Sequence, residues 1–304
     1  MKISVMGDFM IDEYIYSKTE RISPEAPVLI ANVQNIIEKP GGAGNVAQVL
    51  LNLQDEIQII GFGDYENKIS EMFPDICIKS LIPTEQKATR KTRIISDNHH
   101  LLRIDHEQNH QKINGSHIEA LISDIKYFDP EILIISDYNK GFLRLVLEDN
   151  DFCKMFEKLI KRIPIIADLK PSNFHFLHSH IKHRLHSILP NQKEIIESAD
   201  FCKNYYDAAV FWHEQGIADH IIVTRGENGA SMVVGFKEDK IPVENIEVVD
   251  ICGCGDNVTA VYGHLIAKKV KPLEALKRAV KAATLTAHKL GTHPITLEEF
   301  NSIS

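Results

Sequence analysis

Asp250-Ile-Cys-Gly-Cys-Gly-Asp256 follows a strand-like run at Val243–Val249 and opens a helical pattern reading from about Gly255 to Lys268. Gly253 and Gly255 allow the backbone to turn with its N–H groups inward, free of a Cβ clash. The helix N-terminus adds partial positive charge, so the turn reads as an anion site. Asp256 stands beside it, where a carboxylate suits a general base that takes the proton of an attacking hydroxyl. A plain glycine turn with Asp256 as helix cap explains the heptapeptide about as well, so its surroundings decide.

Those surroundings alternate short β-rich runs with helical stretches. Lys2–Gly7, Ile57–Gly61, Glu131–Ser136, Ile163–Ala167, Ser187–Leu189 and His220–Thr224 read as strands. Gly42–Leu53, His117–Tyr127, Phe142–Lys161, Tyr205–Gln215 and Pro272–Leu290 read as helices. The alternation predicts right-handed βαβ units and a mostly parallel sheet covered on both faces, an α/β fold. Ile11–Ile37 and Thr89–Ile104 break the rhythm, being strand-like without a helix. Thr92–Ser96 and Leu101–Asp105 alternate like a half-exposed antiparallel hairpin, with Asp97-Asn98 as its turn. Together they predict a small β-lid, about residues 11–37 and 89–104, on one domain spanning residues 1–304.

The 304 residues are 44% apolar and 25% charged, an ordinary globular composition on a chain long enough for a full core. With 34 Lys+Arg against 42 Asp+Glu, general nucleic-acid binding is not expected. No run approaches the ~18 apolar residues of a membrane span. The N-terminal Met1–Asp8 turns acidic too soon for a signal peptide. Cys77, Cys153, Cys202, Cys252 and Cys254 are scattered and odd in number, which fits reduced thiols and a cytoplasmic location.

Three further stretches carry weaker signals. Pro40-Gly-Gly-Ala-Gly-Asn-Val-Ala47 starts a helix at glycines, with Asn45 available to sugar hydroxyls; alone, a packed loop–helix junction explains it better. Asn191-Gln-Lys-Glu194 puts an amide and a carboxylate on one helical face, fit for a hydrated Mg²⁺, although a capping pair is the simpler account. Val223-Thr-Arg-Gly-Glu-Asn-Gly229 leaves a strand in a tight turn able to bed a nucleotide, as well as to form an ordinary hairpin.

The order of these four signals on an α/β pattern resembles the ribokinase-like (PfkB) carbohydrate kinases over about residues 2–300. Within that family the likeness is closest to the D-glycero-β-D-manno-heptose 7-phosphate kinases. It rests on Gly7–Asp12, Arg21-Ile-Ser-Pro-Glu-Ala-Pro-Val28, Pro40–Asn45, Lys91-Thr-Arg93, Leu102–Asp105, Ser136-Asp-Tyr-Asn-Lys-Gly141 and Lys289–Thr292. The resemblance implies a three-layer domain whose β-lid closes over the sugar and serves as a homodimer clasp. It implies ATP and Mg²⁺ as cofactors and a small sugar phosphate as substrate, with no nucleic-acid or membrane partner. The γ-phosphoryl would pass to the anomeric hydroxyl, giving a heptose 1,7-bisphosphate for surface polysaccharide.

Mapped by the same resemblance, Asp256 is the base and the Gly253, Cys254 and Gly255 amides form the anion hole. Asn191 and Glu194 position Mg²⁺, and Thr224, Arg225, Gly226 and Gly229 border ATP. Asp12, Gly41, Gly42 and Asn45 bind sugar hydroxyls. Phosphoryl transfer is mostly positioning and electrostatics, so this kit suffices. Arg93 and Arg103 from the lid hairpin and Lys140 are the expected ligands of the 7-phosphate, with Arg21 a further candidate. The alternatives are a family kinase for another sugar and a non-catalytic sugar- or nucleotide-binding regulator.

The final motif departs from the family's Gly-Ala-Gly-Asp-Thr, reading Gly253-Cys-Gly-Asp-Asn257. Cys254 at a helix N-terminus is expected to have a lowered pKa and to react with thiol reagents unless ATP protects it. Cys252 and Cys254 lack nearby partners for a metal site. His175, His178, His180, His183 and His186 read as a solvated polar face. Some heptose kinases are fused to a nucleotidyltransferase; without a His-x-Gly-His motif here, that step is expected on another polypeptide.

Overall fold

Ile3–Gly7 and Ile132–Ser136 bury every side chain, a pattern that only a sheet covered on both faces accommodates. The computed structural model describes residues 1–64, 66–97, 99–107, 113–243, 249–289 and 291–303. Asn98 of the expected turn, most of the expected strand Val243–Val249, and Leu290 lie outside them.

In chain order the strands are β1 (Lys2–Gly7), β2 (Phe9–Ile22), β3 (Leu29–Gly42), β4 (Glu56–Phe62), β5 (Ile78–Ile82), β6 (Thr89–Ser96), β7 (His99–His106), β8 (Ile132–Ser136), β9 (Ile165–Asp168), β10 (Leu185–Ile188), β11 (Ala218–Thr224), β12 (Ala230–Val234) and β13 (Lys237–Ile241). The helices are α1 (Ala43–Asn52), α2 (Lys68–Glu71), α3 (Gly115–Phe128), α4 (Phe142–Leu147), α5 (Asn150–Ile160), α6 (Pro171–His180), α7 (Gln192–Ser198), α8 (Tyr205–Gln215), α9 (Cys254–Ala267), α10 (Pro272–Thr286) and α11 (Leu297–Ser302).

The main sheet runs β13-β12-β11-β10-β9-β8-β1-β4-β5. From β11 to β5 every pairing is parallel, and β12 and β13 close one edge antiparallel. Period-two alternation divides its apolar side chains between two cores. Ile3, Val5, Ile57, Ile59, Ile132 and Ile134 pack toward α1, α9 and α10. Met6, Ile60, Leu133 and Ile135 pack on the other side with α3 to α8. The ribokinase-like α/β architecture is therefore the observed one. A second sheet, β3-β2-β6-β7, grows directly out of β1, because only Asp8 separates β1 from β2.

The expected helix Phe142–Lys161 is instead α4 and α5, since Asp149 stops the first and caps the second, accepting from the Asp151 and Phe152 amides. The histidine segment is a solvated face only in part: His175 and His183 are exposed, whereas His186 is not. The His175 ring packs edge-on against buried Trp212, and His183 pairs with Glu157. His186 is half-buried between His220 and Tyr262, and burial, aided by His220, lowers its pKa to about 4. Among the described residues no group of three or more His, Cys, Asp or Glu could hold a metal ion by itself, and no helix is long and apolar enough to cross a membrane.

Candidate active site

The carboxyl ends of the parallel strands face the first turn of α9, the place where open α/β sheets bind ligands. Gly253, with φ 77°, is the N-cap of α9, so Asp256 is not the cap but stands in the first turn. A Cβ at Gly253 would lie 2.7 Å from Asn45 Nδ2, so the glycine is required by close approach as well as by φ. Asp256 is 6% exposed, and both its oxygens receive donors: Asn45 Nδ2 at 2.8 Å on Oδ2, and the Tyr138 hydroxyl at 2.7 Å on Oδ1. Burial raises its pKa against the pull of those two hydrogen bonds.

The expected anion hole is narrower than three amides. The Cys254 N–H donates to Ile251 O at 3.2 Å, whereas those of Gly253 and Gly255 carry no backbone bond among the described residues. Asn257, where the family motif has a hydroxyl residue, is held by three hydrogen bonds: its Nδ2 donates to Gly253 O and His293 O, and its Oδ1 accepts from the Ile295 amide. Cys254 corrects another expectation. Its thiol turns toward Ala283 O on α10, and burial raises its pKa rather than the helix end lowering it.

On one side of Asp256 lie the residues expected at the sugar. Asp12 and Arg93 form an ion pair at 2.7 Å with both side chains only 9% exposed. Thr292 Oγ1 donates to Asp12 Oδ2, and Gly41 approaches so closely that a Cβ there would sit 2.8 Å from that oxygen. Gly42 caps α1 and thereby delivers Asn45 to Asp256. Arg103 lies directly across from Arg93 in the β6–β7 register and pairs with Asp105. Lys140 is already engaged: its ammonium pairs with Glu107 at 2.7 Å and its amide donates to Asp8. Arg21 is exposed nine residues beyond Asp12 on β2, roughly 30 Å along the strand, so it is not part of this chain's site.

On the other side a cavity of about 410 Å³ is lined by Thr224, Gly226, Gly229, Gly255, Val258 and Ala283, among others. Arg225 does not line it. Its guanidinium lies over the Tyr205 ring and donates to Asn228 O, bracing the turn from behind. A smaller cavity of about 130 Å³ joins the two sides, lined by Tyr138, Asp168, Lys170, Asn191, Glu194 and Asp256 together with the turn glycines. Asn191 and Glu194 form a reciprocal capping box on α7, with Lys170 Nζ on the remaining Glu194 oxygen. The pair is thus a cap and a wall of the cavity at once.

Tyr138, Asp168, Lys170 and Lys91 are the residues sequence reasoning missed. Asp168 and Lys170 sit just where apolar β9 ends, a position the strand pattern marks as the ligand edge of a parallel sheet. Burial pushes the Asp168 carboxyl up to about 8, and its Oδ1 has no hydrogen-bond partner. Lys91 Nζ lies 4.9 Å from the centre of the Tyr138 ring.

With this geometry the comparisons agree. The family description "pfkB family carbohydrate kinase" matches residues 1–299. Bifunctional protein HldE of Campylobacter jejuni subsp. doylei is 30% identical over 311 residues, covering 100% of this chain and 64% of that protein. The protein of the same name from Nitratiruptor sp. is 33% identical, covering 98% of this chain and 64% of its own length. The chain therefore spans less than two thirds of these relatives. Among solved structures, phosphofructokinase-2 from Escherichia coli in complex with fructose-6-phosphate superposes with a TM-score of 0.76 at 16% identity, covering 100% of this chain and 97% of that one. Ribokinase from Thermotoga maritima gives 0.69 at 20% identity, covering 99% and 98%. A buried aspartate in the first turn of a glycine-led helix, set between the Asp12–Arg93 ion pair and a cavity of about 410 Å³, accords with that family match: the chain belongs to the pfkB family of carbohydrate kinases.

Proposed function

We propose that the chain transfers the γ-phosphoryl of ATP to the anomeric hydroxyl of D-glycero-D-manno-heptose 7-phosphate. The observation that carries the transfer is Asp256, buried and doubly hydrogen-bonded where the two sides of the site meet. Its carboxylate takes the hydroxyl proton as the sugar oxygen attacks the γ-phosphorus, and the bond to the β-phosphate oxygen breaks to release ADP. The Gly253 and Gly255 amides and the N-terminus of α9 face the charge on the moving phosphoryl. The apolar wall at Val258 and Ala283 suits a nucleobase.

The phosphorylated sugar is supported by cations on one face of the second sheet, Lys91, Arg93 and Arg103, and by the likeness to the bifunctional HldE proteins. Mg²⁺ fits the small cavity: its donors are hard oxygens, and Asp168 Oδ1 is buried there without a partner. Glu194 and Asp168 are the residues that would hold it, with Asn191 fixing Glu194 through the cap. Bound there, the ion would neutralise charge on the phosphates. The second sheet acts as the lid in this reading. Its other face carries Ile36, Ile15, Ile94 and Leu102 in register across all four strands, an apolar row suited to a second copy. A cytoplasmic setting, where ATP is available, belongs to the same reading.

The test is a coupled ADP-release assay across heptose 7-phosphate, fructose 6-phosphate, fructose and ribose. Fastest turnover is expected with heptose 7-phosphate; preference for unphosphorylated ribose or fructose would refute the assignment.

A further inference from the structure

We propose that Tyr138 is the positioning residue of the base: its hydroxyl fixes the Asp256 carboxylate so that one lone pair stays aimed at the sugar hydroxyl. The inference rests on the reading of Asp256 as the base and is independent of which sugar is phosphorylated.

The backbone around Tyr138 is pinned from several directions. Its amide donates to Asp8 Oδ2 at 2.8 Å. Asp137 accepts from the Asn139 amide, the Lys170 amide and Asn173 Nδ2. The ring is held as well, with Lys91 Nζ at 4.9 Å and Lys170 Nζ at 5.0 Å from its centre. Lys91 comes from the second sheet and Lys170 from the end of β9, so the phenol sits where the sugar side meets the phosphate side. Burial pushes the Tyr138 phenol well above its ordinary range, so it remains a donor.

A carboxylate rotates broadly about its terminal torsion. Asn45 holds one Asp256 oxygen and Tyr138 the other, so two opposed donors define the plane. Removing the hydroxyl leaves Asn45 alone, and the carboxylate loses its aim. It also loses a hydrogen bond that favours the charged form, so the acidic limb of kcat moves to higher pH. The other groups facing Asp256 are Asp12 on β2, Lys91 on β6, Asp168 at the end of β9 and Lys170 just beyond it, and Cys254 on α9 itself. All of them are kept in a Tyr138→Phe variant, as is the ring between the two lysines.

The experiment measures kcat, KM and the pH profile of Tyr138→Phe, alone and combined with Asp256→Asn. The substrates are ATP and either heptose 7-phosphate or fructose 6-phosphate, whichever the wild type turns over faster. The expected result is a kcat lower by about ten- to a hundredfold with both KM values nearly kept, as for loss of a hydrogen bond to a charged group. The acidic limb should rise, and the Asp256→Asn background should show no further loss. An unmoved limb, an unchanged kcat, or an equal loss in the double variant overturns the positioning role while leaving the base reading intact. Full turnover by Asp256→Asn alone overturns both.

Discussion

Asp256→Asn separates rate from stability, and the surroundings of Asp256 predict opposite signs for the two. Positioned general bases contribute about 10²–10⁴-fold, roughly 3–5 kcal/mol of barrier, so kcat should fall by that factor. ATP affinity should hold, because the cavity proposed for the nucleotide is lined by other residues and the glycine turn is untouched. The substitution is nearly isosteric, and the hydrogen bonds can be remade. Tyr138 can still donate to the new side-chain oxygen. Asn45 Oδ1 is buried without a partner, so a flip of the Asn45 amide presents an acceptor to the new NH₂ group. Stability should not drop at pH 7 and should rise. Burial raises the folded-state pKa of Asp256 above the unfolded value of 3.8, so ionisation favours the unfolded chain. That penalty is absent below the unfolded pKa and grows as pH rises through and above it. Thermal melts at pH 4 and pH 8 alongside single-turnover assays test both arms: the variant should gain on the wild type only at the higher pH. Turnover within a few-fold of wild type, or a lower melting temperature at pH 8, would refute the assignment of Asp256 as a buried, destabilising base.

Two further outcomes follow from local geometry. Gly253→Ala places a Cβ 2.7 Å from Asn45 Nδ2 at a positive φ, so it should displace the amide from Asp256 and cut kcat by at least about tenfold, measured by initial rates. His186→Gln should flatten acid destabilisation: the folded His186 titrates at about 4 against 6.5 unfolded, so its stabilising neutral form is fully present above pH 6.5 and lost as pH falls toward 4. Urea titrations across that window should show the wild type, but not the variant, losing up to about 3 kcal/mol.

Local signals made much of the fold legible. The short β-rich runs at Ile3–Met6 and Ile132–Ile135 and the glycine starts of the helices read from Gly42 and from about Gly255 are set by residues adjacent in the chain. What escaped is set by contacts across it. Tyr138 meets Asp256 over 118 positions, and nothing in Ser136-Asp-Tyr-Asn-Lys-Gly141 says where the phenol ends up. Asp168 and Lys170 were hidden because β9 is only four residues long and its carboxylate is interpretable only once the strand is known to be parallel. Arg225 shows the converse. Its position in the turn was readable, yet its side chain chose Tyr205, a partner 20 positions upstream. Asn191 and Glu194 were readable both as a cap and as a metal pair; they form the cap, with Lys170 on the remaining Glu194 oxygen, and both residues line the small cavity.

The chain carries a net charge of −8, yet the proposed substrates are anions, so recognition depends on how local cations are paired. Lys140 and Lys170 are matched to Glu107 and Glu194, and Arg103 to Asp105. Arg93 differs in using one nitrogen, Nη1, on Asp12; among the described residues its other donors have no partner. A guanidinium can hold Asp12 toward the sugar hydroxyls with one edge and offer the rest of its fork to a phosphate, whereas an ammonium presents a single point of charge. Arg93→Lys should therefore keep the charge and still raise KM for the sugar phosphate by about ten- to a hundredfold, with KM for ATP unchanged. Arg103→Ala, at a side chain 59% exposed, should give a smaller rise in the same constant and leave the melting temperature unaltered. If Arg93→Lys binds the sugar phosphate as well as the wild type does, Arg93 serves only as the counter-ion of Asp12. The phosphate must then be met by other cations, with Lys91, its neighbour on the same face of β6, the first to substitute.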